Sequence, residues 1–165
     1  MTIQEPICFY GDYDVDGITA TSVYMSFFGG LGAQVRAYVP HRLREGYGLN
    51  LDAVQRLHDE GISLLVTSDC GTTAHKEIAL AAQLGMDVVV TDHHQTDEEM
   101  PPAVAVLNPH RAGALYPFRG LCSAALAYKV GAGLPAALRG RWGALGVVAR
   151  SRGVGDGRRR RPLAR

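Results

Sequence analysis

Short apolar runs alternate along the chain with longer segments that are apolar at helical spacing. Runs of about four to six largely apolar residues, ended by polar residues or glycine, are typical of buried strands in a parallel sheet. The predicted strands are residues 7–10, 34–39, 62–67, 86–91 and 104–108. The predicted helices between them are residues 19–28, 51–60 and 75–84. Because strands and helices alternate at the spacing of βαβ units, we expect an α/β fold, a doubly wound, mostly parallel sheet with helices on both faces.

Acidic and imidazole side chains directly follow three of the predicted strands. They are Asp12, Asp14 and Asp16 after the first strand, Asp69 after the third, and Asp92, His93 and His94 after the fourth. The carboxyl ends of parallel strands lie at one edge of the sheet, so we expect these side chains to converge there. Carboxylates with imidazole suit Mn²⁺ or Mg²⁺, and two such ions close together are a device for phosphoester hydrolysis.

Each of these groups has another interpretation when it is taken alone. The first three carboxylates could form a soluble Asp-rich turn. Asp69 could cap a helix that begins near Thr72, and His93 and His94 could be surface histidines. The three alternatives would all have to hold at the same sheet edge, whereas one metal site explains the three groups together.

Bulk composition excludes several classes of protein. The 165 residues are enough for one domain with a hydrophobic core, and the formal net charge of +1 does not indicate a nucleic-acid or membrane partner. Cys8, Cys70 and Cys122 are far apart, which suits a reducing cytosol better than a disulfide framework. The first residues lack the pattern of a signal peptide, and no apolar stretch approaches the roughly 18 residues of a membrane span. We therefore expect a cytoplasmic protein with no membrane partner.

The composition changes abruptly after Lys129. Residues 131–165 contain nine arginines, eight glycines, no lysine and one acid, Asp156. Such a segment can bury little apolar surface. We predict a catalytic domain over residues 1–130 and a disordered or non-native tail over residues 131–165. The alternative is that the arginine run at residues 158–161 makes this segment a phosphate-binding tail.

Five motifs in order resemble those of the DHH phosphoesterase family, and most closely its RecJ-type branch of single-strand-specific exonucleases. The family takes its name from Asp92, His93 and His94. The other motifs are YGDYDVDG at residues 10–17, REGYGL at 44–49, SDCGT at 68–72, and NPHR…YPFRGLCSAALAYK within 108–129. The resemblance covers roughly residues 5–130. It implies Mn²⁺- or Mg²⁺-dependent hydrolysis of phosphodiesters, with single-stranded DNA degraded from its 5′ end during repair and recombination.

The resemblance also implies a set of metal ligands for two ions. Asp14 and Asp16 match the D-x-D ligands of the family, and Asp12 is a further ligand or supports one. Asp69 matches a carboxylate that bridges the two ions. His93 matches the imidazole ligand.

Other positions are implied to contact the substrate or to support the site. His94 matches the residue that faces the scissile phosphate, and Asp92 would orient an imidazole. In the REGYGL loop, Arg44 would hold a phosphate and Tyr47 would stack on a base. For Tyr47 the alternative is an aromatic ring that simply packs on the edge of the sheet.

The chain also departs from the family pattern. The carboxylate of the fourth family motif follows an apolar run, and the nearest equivalent run here ends in Arg150. A guanidinium at that position would oppose metal binding, and we expect the chain to lack the second domain that the resemblance implies would close the cleft. We therefore expect an incomplete catalytic domain and a weak or inactive nuclease.

Three alternatives remain open from the sequence. A DHH-family phosphodiesterase could act on cyclic dinucleotides or other small nucleotides. A haloacid-dehalogenase-like phosphatase would use Asp14 as a covalent nucleophile, but it would leave His93 and the REGYGL loop without a role. The third alternative is an inactive truncated fragment.

Overall fold

The computed structural model describes residues 5–139, and these contain a five-stranded, all-parallel sheet. The strands are β1 (Ile7–Gly11), β2 (Val35–Tyr38), β3 (Leu64–Ser68), β4 (Asp87–Thr91) and β5 (Ala105–Leu107). The helices are α1 (Val15–Gly30), α2 (Leu51–Asp59), α3 (His75–Gln83) and α4 (Ser123–Arg139). The predicted α/β class is confirmed.

The strand order, β2-β1-β3-β4-β5, places a topological switch point between β1 and β3. At a switch point the connections leave the two strands in opposite directions and open a crevice at their carboxyl ends. The connections that follow β1 and β3 therefore diverge and leave room for a ligand at the carboxyl ends of β1, β3 and β4.

Backbone hydrogen bonds continue past the strand ends and set the acidic residues side by side. The amide of Asp12 donates to Ser68 O at 3.1 Å, and the amide of Asp69 donates to Thr91 O at 3.0 Å. The amide of Asp92 donates to Leu107 O at 3.1 Å. Three acids from distant parts of the sequence therefore lie abreast at one edge of the sheet.

Helices cover both faces of the sheet, and each face has its own apolar cluster. On one face Phe9 stacks on Tyr24 of α1 with ring centroids 5.0 Å apart, and Ala127 of α4 joins the same cluster. On the other face, residues of α2 and α3 such as Leu57 and Ile78 are fully buried against the sheet. Since alternate residues of β1 face opposite sides, its five residues are all buried.

Helix α1 begins at Val15, four residues earlier than the sequence predicts. Asp14 is its N-cap, and a carboxylate oxygen of Asp14 accepts a hydrogen bond from the Gly17 amide at 2.9 Å. Asp16 consequently lies in the first helical turn. The apolar pattern alone could not find this start. A helix cap is recognised by its polar side chain, and Asp12, Asp14 and Asp16 are all of the type that caps helices.

Replacing Gly17 by alanine is expected to destabilise the fold by roughly 1–3 kcal/mol or more, because the added methyl group would clash with backbone atoms that cannot move aside as a flexible side chain can. A Cβ at Gly17 would lie 2.6 Å from Asp12 O and 2.7 Å from Asp12 N. Urea denaturation of the two proteins measures the difference. The matched control is Gly30→Ala at the end of the same helix, where nothing lies within 4 Å of the added Cβ. Equal effects of the two substitutions would contradict the prediction.

Helix α4 was not predicted from the sequence, and it runs across the proposed boundary at residue 130. Ala127 is fully buried, and Ala124 and Val130 pack against the same cluster, so the first turns of α4 belong to the apolar cluster that α1 forms. The remainder of the predicted tail, residues 140–165, lies outside the described residues, and so does Arg150. Among residues 5–139, no helix is long and apolar enough to cross a membrane.

Candidate metal centre

The side chains predicted to converge do so at the carboxyl ends of β1, β3 and β4. Two groups of three side chains have possible ligand atoms within 4.8 Å of one another. The first group is Asp12, Asp14 and Asp69, and the second is Asp69, His93 and His94. Asp69 belongs to both groups, which is the arrangement expected of a side chain placed between two ions.

Asp69 is held in a conformation that few non-glycine residues adopt. Its φ is +69°, in the left-handed region, and its exposure is 1%. Its carboxylate accepts from Ser123 Oγ, and α3 begins at His75 with no side-chain cap on its N-terminus. Asp69 is therefore not the helix cap that it could have been from sequence alone.

Two side chains lie close to one oxygen of the Asp69 carboxylate. Its Oδ1 lies 3.1 Å from His93 Nε2 and accepts a hydrogen bond from Ser123 Oγ at 2.8 Å. Burial first, and then the charges of Asp16 and Asp14, raise the pKa of Asp69 to about 6. A buried carboxylate whose charge is costly binds a cation favourably, because the cation removes the cost.

Asp12 supplies the clearest sign of a missing partner. The side chain is 2% exposed, and its Oδ1 has no hydrogen-bond partner within the described part of the chain. Burial raises the pKa of Asp12. Buried acceptors are normally paired, so an unpaired carboxylate oxygen beside Asp14 and Asp69 fits a cation ligand.

Asp14 and Asp16 both also serve the ends of helices. The Gly17 amide holds the pKa of Asp14 below its ordinary value. Asp16 accepts from the first two amides of α4, at 2.7 Å from Ser123 N and 2.9 Å from Ala124 N, and its Oδ2 lies 3.6 Å from His93 Nε2. Asp16 is therefore at the site, although α4 engages both of its oxygens.

Asp92 is buried beneath the two histidines and binds one of them. Its Oδ1 lies 2.7 Å from His94 Nδ1, and its Oδ2 accepts from the Thr72 amide at 3.0 Å. Burial acts to raise the pKa of Asp92, but the hydrogen bonds from Thr72 and His94 outweigh it and hold the pKa low. Burial would lower the pKa of His94, yet contact with Asp92 raises it. Asp92 thus fixes which nitrogen of His94 faces outward.

Tyr47 lies beside the histidines and keeps more than half of its side chain exposed. Its hydroxyl is 3.4 Å from His94 Nε2, and its ring meets those of His94 and Tyr13 edge-on, with centroids 6.1 Å and 6.4 Å away. Arg42 lies over the Tyr13 ring at 5.4 Å. Within the described residues, the exposed Arg44 makes no hydrogen bond or ion pair through its side chain.

Sequence reasoning missed three residues around the site. Asn108 Nδ2 donates to Thr72 Oγ1 and to His94 O, both at 2.9 Å, and so ties the loop after β5 to the histidines. An Asn-Pro pair directly after a strand was an available signal for Asn108. The sequence held no local signal for Arg42, or for Ser123, whose partner Asp16 is 107 residues away.

Comparisons with known proteins identify the family of the chain. The family model for the DHH family, N-terminal domain, matches residues 6–141. The single-stranded-DNA-specific exonuclease RecJ of Bacillus subtilis is 43% identical over 127 residues, which are 77% of this chain and 16% of that protein. RecJ of Escherichia coli is 36% identical over 119 residues, which are 72% of this chain and 21% of that protein.

Two solved structures extend the comparison to three dimensions. A crystal structure of exonuclease RecJ bound to manganese matches with a TM-score of 0.73 and 36% identity, covering 81% of this chain and 34% of that one. RecJ of Thermus thermophilus in complex with Mn²⁺ matches with a TM-score of 0.66 and 31% identity, covering 82% and 19%. The chain thus spans about a third or less of the length of these relatives. By the family match and these similarities, the chain belongs to the DHH family.

Proposed function

We propose that this chain carries the metal-binding part of a phosphodiesterase that degrades single-stranded DNA from its 5′ end, as its RecJ relatives are named for single-stranded DNA. The observation that carries the proposal is the position of Asp69, which is shared by two groups of potential ligands. One shared carboxylate with separate ligands on either side is the pattern of a two-ion site.

The proposed ions are Mn²⁺ or Mg²⁺, and the manganese in both RecJ structures supports Mn²⁺. Asp12, Asp14 and Asp69 would hold one ion. Asp69 and His93 would hold the other, together with Asp16. Bound divalent cations lower the pKa of a water molecule and offset charge on the phosphate oxygens.

His94 is proposed to face the scissile phosphate. Its imidazole is about half exposed, and Asp92 holds Nδ1 so that Nε2 points to the open side of the site. The raised pKa keeps the ring protonated to a higher pH, in which state it can donate a hydrogen bond to a phosphate oxygen.

The rings of Tyr13 and Tyr47 and the guanidinium of Arg42 are proposed to bind the strand beside the metal site. Exposed aromatic faces stack on bases whatever their sequence, and a guanidinium pairs with phosphate. Arg44 remains a candidate for the same role from its place in the REGYGL motif. The two arginines flank Leu43 and are both exposed, so they form a matched pair.

Arg42→Ala is expected to lower affinity for a single-stranded oligonucleotide roughly tenfold, since a charge-assisted contact is worth about 1.5 kcal/mol. Arg44→Ala is expected to have a smaller effect, because only Arg42 is held against an aromatic ring of the site. Fluorescence anisotropy at two salt concentrations measures both variants. A larger loss from Arg44→Ala than from Arg42→Ala would assign the phosphate contact to Arg44 instead.

The proposed function is tested by incubating the purified protein with Mn²⁺ and single strands labelled at the 5′ or the 3′ end. Hydrolysis from the 5′ end that stops with chelator supports the proposal. The Asp69→Asn variant, purified in the same way, controls for contaminating nucleases. Hydrolysis that survives chelation, or that is equal in Asp69→Asn, would contradict the proposal.

The same assay separates the alternatives. Cleavage of cyclic dinucleotides in preference to long strands would favour the small-nucleotide phosphodiesterase, and no hydrolysis of any substrate would favour an inactive fragment. A phosphorylated Asp14 would indicate the haloacid-dehalogenase chemistry, which the DHH family match disfavours.

A further inference from the structure

Ser123, the first residue of α4, is 1% exposed and contacts two carboxylates of the metal centre. Its hydroxyl donates to Asp69 Oδ1 at 2.8 Å, and its amide donates to Asp16 Oδ2 at 2.7 Å. The potential ligands lie on other parts of the chain, and none of them is on α4. Ser123 therefore contacts the centre from a helix that supplies no ligand.

The hydroxyl contact acts on the side chain that both ligand groups share. A serine hydroxyl has a single proton to donate, and here Asp69 receives it. Oδ1 of Asp69 also lies 3.1 Å from His93 Nε2. The hydrogen bond from Ser123 restricts rotation of the carboxyl group about its bond to Cβ, and so helps to fix the directions of its remaining lone pairs.

The amide contacts hold the hydroxyl in place. The first amides of a helix have no partner within the helix, and Asp16 accepts from two of them, Ser123 N and Ala124 N. This frame consists of backbone donors and the Asp16 carboxylate. It does not depend on the Ser123 side chain, so substitutions of that side chain leave it intact.

We propose that Ser123 is a positioning residue of the metal centre, whose hydroxyl orients Asp69 toward the ions from the first turn of α4. This inference rests on the proposed function, because it concerns the same site. Partners of metal ligands commonly set the orientation and strength of the ligand, and their loss weakens metal binding roughly 10- to 100-fold.

The test is calorimetric titration of the full 165-residue chain with MnCl₂ at a temperature where circular dichroism shows each variant folded. Ser123→Ala is expected to bind Mn²⁺ roughly 10- to 100-fold more weakly. Ser123→Thr keeps the hydroxyl and is expected to bind like the unmodified protein. If Ser123→Ala does not fold, Ser123→Cys takes its place, because a thiol nearly keeps the volume but donates weakly.

The matched control is Ser68→Ala. Ser68 is also buried and directly precedes Asp69, but its hydroxyl has no hydrogen-bond partner in the described part of the chain. Mn²⁺ affinity that is unchanged in Ser123→Ala, or reduced as much in Ser68→Ala, would overturn the role of Ser123 and leave the proposed function standing. An unmodified protein that binds no Mn²⁺ would overturn both.

Discussion

Replacing Asp69 by asparagine is expected to weaken Mn²⁺ binding by at least about 100-fold. Removing a residue that only hydrogen-bonds to a metal ligand already weakens binding by up to about 100-fold, and Asp69 is itself a proposed ligand. Asp69 belongs to both groups of potential ligands, so its neutralisation affects every ion that the site holds. Asparagine is the informative substitution, because it tolerates the φ of +69° and removes only the charge. Calorimetric titration with Mn²⁺ measures the loss.

Two further carboxylates serve as controls for this prediction. Asp12→Asn is expected to cost less than Asp69→Asn, since Asp12 belongs to one group alone. Asp97→Asn removes an exposed carboxylate that pairs with His75 away from the site, and it is expected to leave Mn²⁺ binding unchanged. Equal, small losses in the Asp69 and Asp12 variants would contradict a shared ligand.

The metal-free protein is expected to lose stability as pH rises from about 4 to about 6. The pKa of Asp69 is raised from 3.8 to about 6, so the unfolded chain releases this proton at a lower pH than the folded protein does. The free energy of unfolding is therefore highest below pH 3.8, the pKa of Asp69 in the unfolded chain. It falls as pH rises, until the carboxyl group of the folded protein is also ionised near pH 6. The shift of about two units corresponds to a loss on the order of 2–3 kcal/mol.

Urea denaturation of the chelator-treated protein at several pH values measures this loss, and Asp69→Asn serves as the reference. The variant has no carboxyl to ionise at this position, so its stability is expected to fall less over the same interval. Saturating Mn²⁺ is expected to restore the unmodified protein above pH 6, because a cation binds the ionised form. Parallel pH profiles for the two proteins would disprove the assignment.

The sheet and the meeting of its strand-end acids could be predicted because both follow from local patterns. Strands are short apolar runs, and parallel strands place their carboxyl ends together whatever their order. An asparagine directly before a helical run is also a local signal for a cap, and the side chain of Asn50 accepts from the Ala53 amide at 2.8 Å.

Other features depend on contacts that local sequence does not encode. The start of α4 is fixed by Asp16 from across the fold, so the helix and Ser123 were missed. Arg42 rather than Arg44 lies over Tyr13 in a loop that turns around the two arginines, with the amides of Arg44 and Glu45 donating to His41 O at 3.0 Å and 2.9 Å. Spacing within the motif cannot reveal which of two nearby arginines such a loop directs inward.

The contact between Asp16 and Ser123 has a consequence for how the protein is made. Its two partners are separated by 107 positions, and synthesis proceeds from the amino terminus. Asp14 and Asp16 therefore leave the ribosome long before the residues that orient their neighbours have been added. A preformed metal site rarely exists in an unfolded chain. The crowded carboxylates of the nascent chain therefore lack this contact until the first turn of α4 emerges, and the proposed metal binding would follow translation of this segment.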